Sequence, residues 1–392
     1  MKEKRFLKIS DENILMIVLA FMCFSIGVWS NYRQLWLENV GFSITSISKI
    51  LSIGLICSAV IAFIISLFST KVNIKSIIVL SILFRSVAMT ILLFSKDTFI
   101  IKTGILLGIM CEVIFTIAFY PLLTFVTKTN KSFRKKTLIE YFAKDIGIVS
   151  CGLLIGVSIG KLIFSYDTCL LIALIASFLS LLFLLFYQSR EKHNKSDSSL
   201  IESTKRLIKS KTNVVFLINQ IIINISYGII FDLMVLILTN YINFEVSLAS
   251  VFIIVCNVLG SVFTAIFDKF SNRYSVTKSS IIKFGSRALF YILAYLINGT
   301  VGFILAIVVA FITSRILEDK VTGVFLRIID KNDQFLYGNI RYFVVCIGEG
   351  IGAFLAGVLL GFSFKYLFLG AGIVTIVQTL IYIYLDKKLL KK

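Results

Sequence analysis

The sequence has a single proline, Pro121, and a single histidine, His193, in 392 residues. One histidine in a polar stretch excludes a histidine-based metal centre and a catalytic triad. No GxxxxGK[ST] run occurs, so the chain lacks the phosphate-binding loop that direct use of ATP would need. The seven cysteines (Cys23, Cys57, Cys111, Cys151, Cys169, Cys256 and Cys346) all fall inside apolar blocks, without CxxC or other ligand spacing. They read as small packing residues. These absences predict no catalytic residue, no metal and no cofactor. Charge is scarce as well, at 16% Asp, Glu, Lys and Arg.

What is abundant is apolar: 58% of residues are hydrophobic and the mean hydropathy is +0.95. A soluble domain of this length has too little polar surface to cover so much apolar side chain, whereas a bilayer accepts it. Blocks of the ~20 apolar residues that cross a membrane follow one another almost end to end. They predict twelve spans: 13–35, 45–68, 76–94, 99–126, 138–163, 166–187, 214–239, 248–267, 279–297, 301–325, 340–361 and 366–385. The first has no small-residue cleavage site after it and reads as a retained span. The expected fold is therefore all-α, with a six-helix bundle over 1–187, a linker over 188–212 and a second six-helix bundle over 213–392.

A formal charge of +19 would suggest nucleic acid in a soluble protein. Here the positive residues sit in alternate loops. Lys2, Lys4, Arg5 and Lys8, then Lys128, Lys131, Arg134, Lys135 and Lys136, the basic Gln188–Thr212 linker, and Lys387, Lys388, Lys391 and Lys392 all fall on one side. The other side and its edges carry only Lys96, Lys102, Lys161 and Lys365. The positive-inside rule then places both termini and the linker in the cytoplasm. The partner implied by the charge is anionic membrane lipid, not nucleic acid.

The two halves repeat. Tyr141–Gly160 (YFAKDIGIVSCGLLIGVSIG) and Tyr342–Gly361 (YFVVCIGEGIGAFLAGVLLG) share Gly147/Gly348, Gly156/Gly357 and Gly160/Gly361 at an offset of 201. Nearly the same offset relates Lys71 to Arg273 and Arg85 to Arg287. A shared register along the chain indicates a duplicated six-helix unit, parallel because six is even.

Six plus six spans, a basic central loop and parallel halves resemble the major facilitator superfamily of secondary transporters. The Leu37–Ser48 stretch, LENVGFSITSIS, is similar to the family's loop between spans one and two. The Asp-Arg-x-Gly-Arg-Arg/Lys turn of that family is reduced here to Thr70-Lys71-Val72-Asn73-Ile74-Lys75, with a closer copy around Asn272-Arg273-Tyr274 and Lys278. Gly156-Val157-Ser158-Ile159-Gly160 has the glycines, but not the proline, of the span-five element of drug antiporters. The resemblance implies a monomeric carrier that moves a small organic or amphiphilic solute by alternating access, coupled to a proton or ion gradient, with export favoured. It also implies that spans one, four, seven and ten line the solute path. Two alternatives stand beside it: a transport-inactive sensor or scaffold on the same fold, and a membrane-embedded lipid-modifying enzyme.

Charged groups in hydrocarbon are costly, so they mark candidate sites. Glu349 lies ~15 Å into span eleven, in Gly348-Glu349-Gly350-Ile351-Gly352. Desolvation disfavours a carboxylate, which makes it the candidate proton carrier. Arg33 and Asp232 both stand ~30 Å above the inner face, and Glu112 and Arg315 both stand ~20 Å below the outer face. Each pair is a gate candidate. Trp29 in span one, and Gln220, Asn224, Tyr227 and Phe231 along one face of span seven, are the candidate solute contacts. Trp36 reads as an interface anchor. Arg85 and Arg287 are expected to be structural, with Asp145 a partner for Arg85, and Glu318 and Asp319 partners for Arg287.

Overall fold

The computed structural model describes residues 10–68, 73–126, 130–156, 165–187, 209–270, 274–317, 321 and 334–387. Lys71, Gly160, His193, Arg273, Glu318, Asp319 and most of the linker lie outside these residues. Among the described residues every regular element is helical. The elements are α1 (Asp11–Ser30), α2 (Arg33–Asn39), α3 (Ile44–Phe68), α4 (Ile74–Phe94), α5 (Thr98–Val126), α6 (Asn130–Gly156), α7 (Tyr166–Leu185), α8 (Lys211–Ile230), α9 (Met234–Asn240), α10 (Val246–Phe270), α11 (Val276–Ser280), α12 (Ser286–Ile297), α13 (Thr300–Arg315), α14 (Gln334–Phe362) and α15 (Lys365–Leu385). Ten of the resulting spans are long and apolar enough to cross a membrane, and α13 is a shorter apolar helix. With α6 in the place of span five, each of the twelve expected spans has its helix, and the fold is the expected all-α membrane fold.

The helix ends follow from local chemistry. Ser10, Asn73, Ser210 and Ser275 cap α1, α4, α8 and α11 by accepting from a backbone N–H in the first turn. The LENVGFSITSIS stretch is a stop and a start. Gly41, at φ +105°, ends α2 while the Phe42 N–H donates to the Leu37 carbonyl, and Ser43 Oγ then accepts from Ser46 N–H at the start of α3. Asn243, at φ 61°, repeats the turn in the second half, where the Phe244 N–H donates to the Leu238 carbonyl.

Three features depart from the expected spans. Spans one and seven are each broken near their far ends, at 31–32 and at 231–233. Span nine contains a π-helical turn, Ile281–Gly285, which carries the buried Lys283. Span ten stops at Arg315 rather than near 325. Its last carbonyls, of Ser314 and Ile316, accept from Lys283 Nζ at 3.0 and 2.8 Å, and Leu317 turns left-handed at φ 54°.

Packing groups the chain into two compact units, Met1–Arg33 with Phe68–Lys195, and Gln34–Leu67 with Ser196–Lys392. In the first, α1 lies against α6 and α7, and α4 against α5. A Cβ on Gly27 would run into the Lys144 carbonyl, and one on Gly147 into the backbone of Phe24 and Val28. In the second, α8 lies against α14 and α15. Cβ atoms on Gly228, Gly348 and Gly352 would run into the facing carbonyls of Glu349, Ile221 and Ile225. Small residues that let two backbones touch are how helices associate in lipid. Gly27/Gly228 and Gly147/Gly348 keep the offset of 201, so the duplicated unit reuses one helix contact.

Candidate functional site

In the first unit the buried charges converge. Arg85, fully buried on α4, donates from Nη1 to Glu112 Oε1 on α5 at 2.5 Å. Ser30 Oγ donates to the same oxygen at 2.7 Å. Arg85 also donates from Nε and Nη2 to Ser25 Oγ, each at 3.3 Å. Ser25 Oγ in turn donates to the Ala173 carbonyl on α7 at 2.8 Å. Arg33, at the start of α2, approaches Glu112 Oε2 at 3.7 Å, an ion pair without a hydrogen bond. One carboxylate thus faces two guanidiniums.

This arrangement corrects two expectations. Arg85 takes Glu112 rather than Asp145, because α4 and α5 are consecutive antiparallel helices that pack along their length, with Gly104 and Gly108 admitting side chains of α4. Depth arithmetic also set Arg33 and Glu112 apart. The 29-residue α5 places Glu112 near its middle, and the long stem of Arg33, starting just past the break, closes the remaining distance.

The second unit builds the same place differently. Ser226 Oγ shares a hydrogen bond with Thr375 Oγ1 at 2.8 Å, as Ser25 does with Ser177 at 2.9 Å. Arg287 Nε donates to Thr313 Oγ1 at 2.8 Å. Thr313 stands 201 residues after Glu112, so the carboxylate of the first half is a hydroxyl in the second. Arg315 donates to the Asn257 carbonyl, Asn257 Oδ1 and Ser261 Oγ at 3.1, 2.9 and 2.7 Å. Asp232 lies in the break of span seven, and its carbonyl accepts from Gln34 Nε2 at 2.6 Å.

Glu349 occupies a defined face of α14. Gly348 and Gly352 turn to α8, and Gly350 and Gly357 to Ser52, Ile56 and Ser48 on α3. Ile351, Phe354 and Val358 form the exposed stripe. At ~100° per residue, Glu349 points between the two flanking helices, about 180° from that stripe. Cys346 shares this inner face, within electrostatic reach of both Glu349 and Asp232.

The polar face of span seven is partly occupied by its neighbours. Gln220 Oε1 accepts from Arg341 Nε at 3.3 Å. Asn224 Nδ2 donates to the Gln220 carbonyl at 2.6 Å. Tyr227 and Phe231 stack at 4.3 Å, and Phe231 meets Phe311 edge-on at 5.0 Å. Trp29 and Trp36 are both buried, so Trp36 is a packing residue rather than an interface anchor. At the far end, Asn240 Nδ2 donates to both carboxylate oxygens of Glu38 at 2.7 and 2.9 Å. Burial and the Glu38 carboxylate push the nearby Tyr241 phenol above its ordinary range.

Sequence reasoning missed the Arg85–Glu112 pair although its signal was present: opposite charges buried in consecutive helices. It also missed Ser25, Ser30 and Lys283, whose roles depend on which helix faces them.

Among solved structures the chain is similar in fold to a mutant form of the nucleoside transporter NupG, at 15% identity over 96% of this chain and 100% of that one, with a TM-score of 0.75. It is similar to a bacterial homologue of the human lysosomal transporter Spinster, inward-facing and unoccupied, at 12% identity over 97% of each chain and a TM-score of 0.74. A POT family transporter in complex with a thioalcohol-conjugated peptide matches at 15% identity over 96% of each chain, with a TM-score of 0.71. No curated protein sequence matches. The family model described as Major Facilitator Superfamily matches residues 14–318, and the chain belongs to that superfamily of transporters.

Proposed function

We propose that this transporter works by alternating access as a monomer, moving an organic solute out of the cell in exchange for protons, with Glu349 as the proton-carrying group. The observation that carries this reading is the placement of Glu349. It is an acid on the inward face of a membrane helix, held among glycines whose contacts fix its direction, and its counterpart in the first half is the apolar Ile148. A requirement of the fold would appear in both halves; a function can be served by one. The face of span seven that carries Gln220, Asn224, Tyr227 and Phe231 is the assigned solute surface. Loading and release of a proton at Glu349 would favour different conformations, which links the gradient to the cycle.

Glu349→Gln mimics the protonated acid. In proteoliposomes it should abolish pH-driven accumulation while leaving solute counterflow largely intact, since exchange needs no net proton movement. Full pH-driven accumulation by this variant would place the coupling proton elsewhere.

The charge distribution supports cytoplasmic termini and a cytoplasmic linker in the cell membrane. A cysteine introduced at Ser196 should resist an impermeant thiol reagent in intact cells and react once the cells are opened. Labelling in intact cells would invert the topology.

A further inference from the structure

Among the described residues, the buried charge cluster of the first unit holds one more cation than its carboxylate neutralises. Glu112 is committed to Arg85 and Ser30, both bonded to Oε1. Arg33 stands 3.7 Å from the other oxygen, and its side chain is only 10% exposed. Its Nε is buried without a hydrogen-bond partner. A guanidinium in a water-poor site needs acceptors in hydrogen-bonding contact, of which an anion is the strongest, and its planar fork fits carboxylate or phosphate oxygens two at a time. The second half offers no counterpart, because Met234 stands 201 residues after Arg33. Arg33 is therefore not required by the duplicated scaffold.

We propose that Arg33 is the anchor for an anionic group, a carboxylate or a phosphate, on the transported solute. The solute anion takes the donors that Glu112 leaves open, and Glu112, itself fixed by Arg85 and Ser30, holds the guanidinium in place from behind. This rests on the transport reading above and narrows its substrate to organic anions.

The chain reports on this site by itself. Its only two tryptophans, Trp29 and Trp36, lie four residues before and three after Arg33, and both are buried. The protein in lipid nanodiscs is titrated at constant ionic strength with succinate, benzoate, glycerol phosphate and inorganic phosphate. Succinamide and benzamide serve as neutral counterparts and sodium chloride as the inorganic control, with tryptophan fluorescence as the readout. At least one carboxylate or phosphate ester should give a saturable change that its neutral counterpart does not. Arg33→Gln should weaken it about tenfold or more, and Arg33→Lys should restore part of it. The proposal is overturned if no organic anion saturates, if the amides bind as well, if chloride or phosphate alone accounts for the signal, or if Arg33→Gln keeps the affinity. Should Arg33→Gln fail to fold, the charge-retaining Arg33→Lys decides, since losing the two-point contact must still weaken the organic anion relative to chloride. Flux of the same probes in proteoliposomes separates the two readings. Anion binding without flux contradicts transport and leaves the anchor. Flux of a neutral solute that ignores Arg33→Gln contradicts the anchor and leaves transport.

Discussion

Glu112→Gln should be the most damaging single polar substitution in the first unit. It leaves the guanidiniums of Arg85 and Arg33 facing a neutral amide in a buried site. Removing one member of a buried charge pair costs about 3–5 kcal/mol, a large share of the roughly 5–15 kcal/mol by which proteins are typically stable. Arg85→Gln should cost less, although the residue is fully buried, because Glu112 keeps Arg33 as a partner and the two need close only a 3.7 Å separation. The double variant Glu112→Gln/Arg85→Met should regain much of the loss, since it returns the site to the single uncompensated cation it already carries. Thermal midpoints of the purified proteins in one detergent order the series. Equal losses for the two single variants, or an additive double variant, would show that the three charges do not act as one cluster.

Valine at Gly228 or Gly27 should also destabilise the protein, for a different reason. At both positions a Cβ runs into a backbone carbonyl of the facing helix, Glu349 for Gly228 and Lys144 for Gly27. Backbone cannot rotate away as a side chain can, so the helices must separate along their whole contact. Overpacking of this kind costs about 1–3 kcal/mol or more. Gly361 supplies the control, because nothing lies within 4 Å of its added Cβ. Gly361→Ala should be neutral or slightly stabilising, since alanine is the better helix former by up to ~1 kcal/mol. Size-exclusion profiles and thermal midpoints compare the set. A monodisperse Gly228→Val protein with the parent midpoint would mean that α8 and α14 are not held at backbone distance.

The spans were legible because lipid imposes a simple rule: ~20 apolar residues between charged breaks, repeated along the chain. The duplication was legible because close helix packing depends on glycine, and glycines leave a register. Gly147 and Gly348 were visible as sequence matches, and their shared contact with span one or span seven explains why they match. The helix breaks at 31–32 and 231–233 were not legible, for neither contains proline and glycine does not mark them. The end of span ten was missed because Lys283, from another helix, terminates it. The charged site was half legible: Arg33, Arg85 and Glu112 were each singled out, but their pairing was not. Position along a helix gives depth, whereas pairing depends on which helices are neighbours and on how far a flexible arginine reaches.

Gradient-driven movement of an organic solute is tested most directly by measuring transport in a defined membrane. Proteoliposomes of folded protein receive a mixture of organic anions, zwitterions and neutral solutes under an imposed pH gradient, and their contents are quantified by mass spectrometry. Parallel samples have the gradient collapsed by an ionophore. The account predicts that at least one organic solute concentrates on one side above its starting level, and that collapsing the gradient returns it to equilibrium. Protein-independent distributions for every solute, identical with and without the gradient, would contradict it.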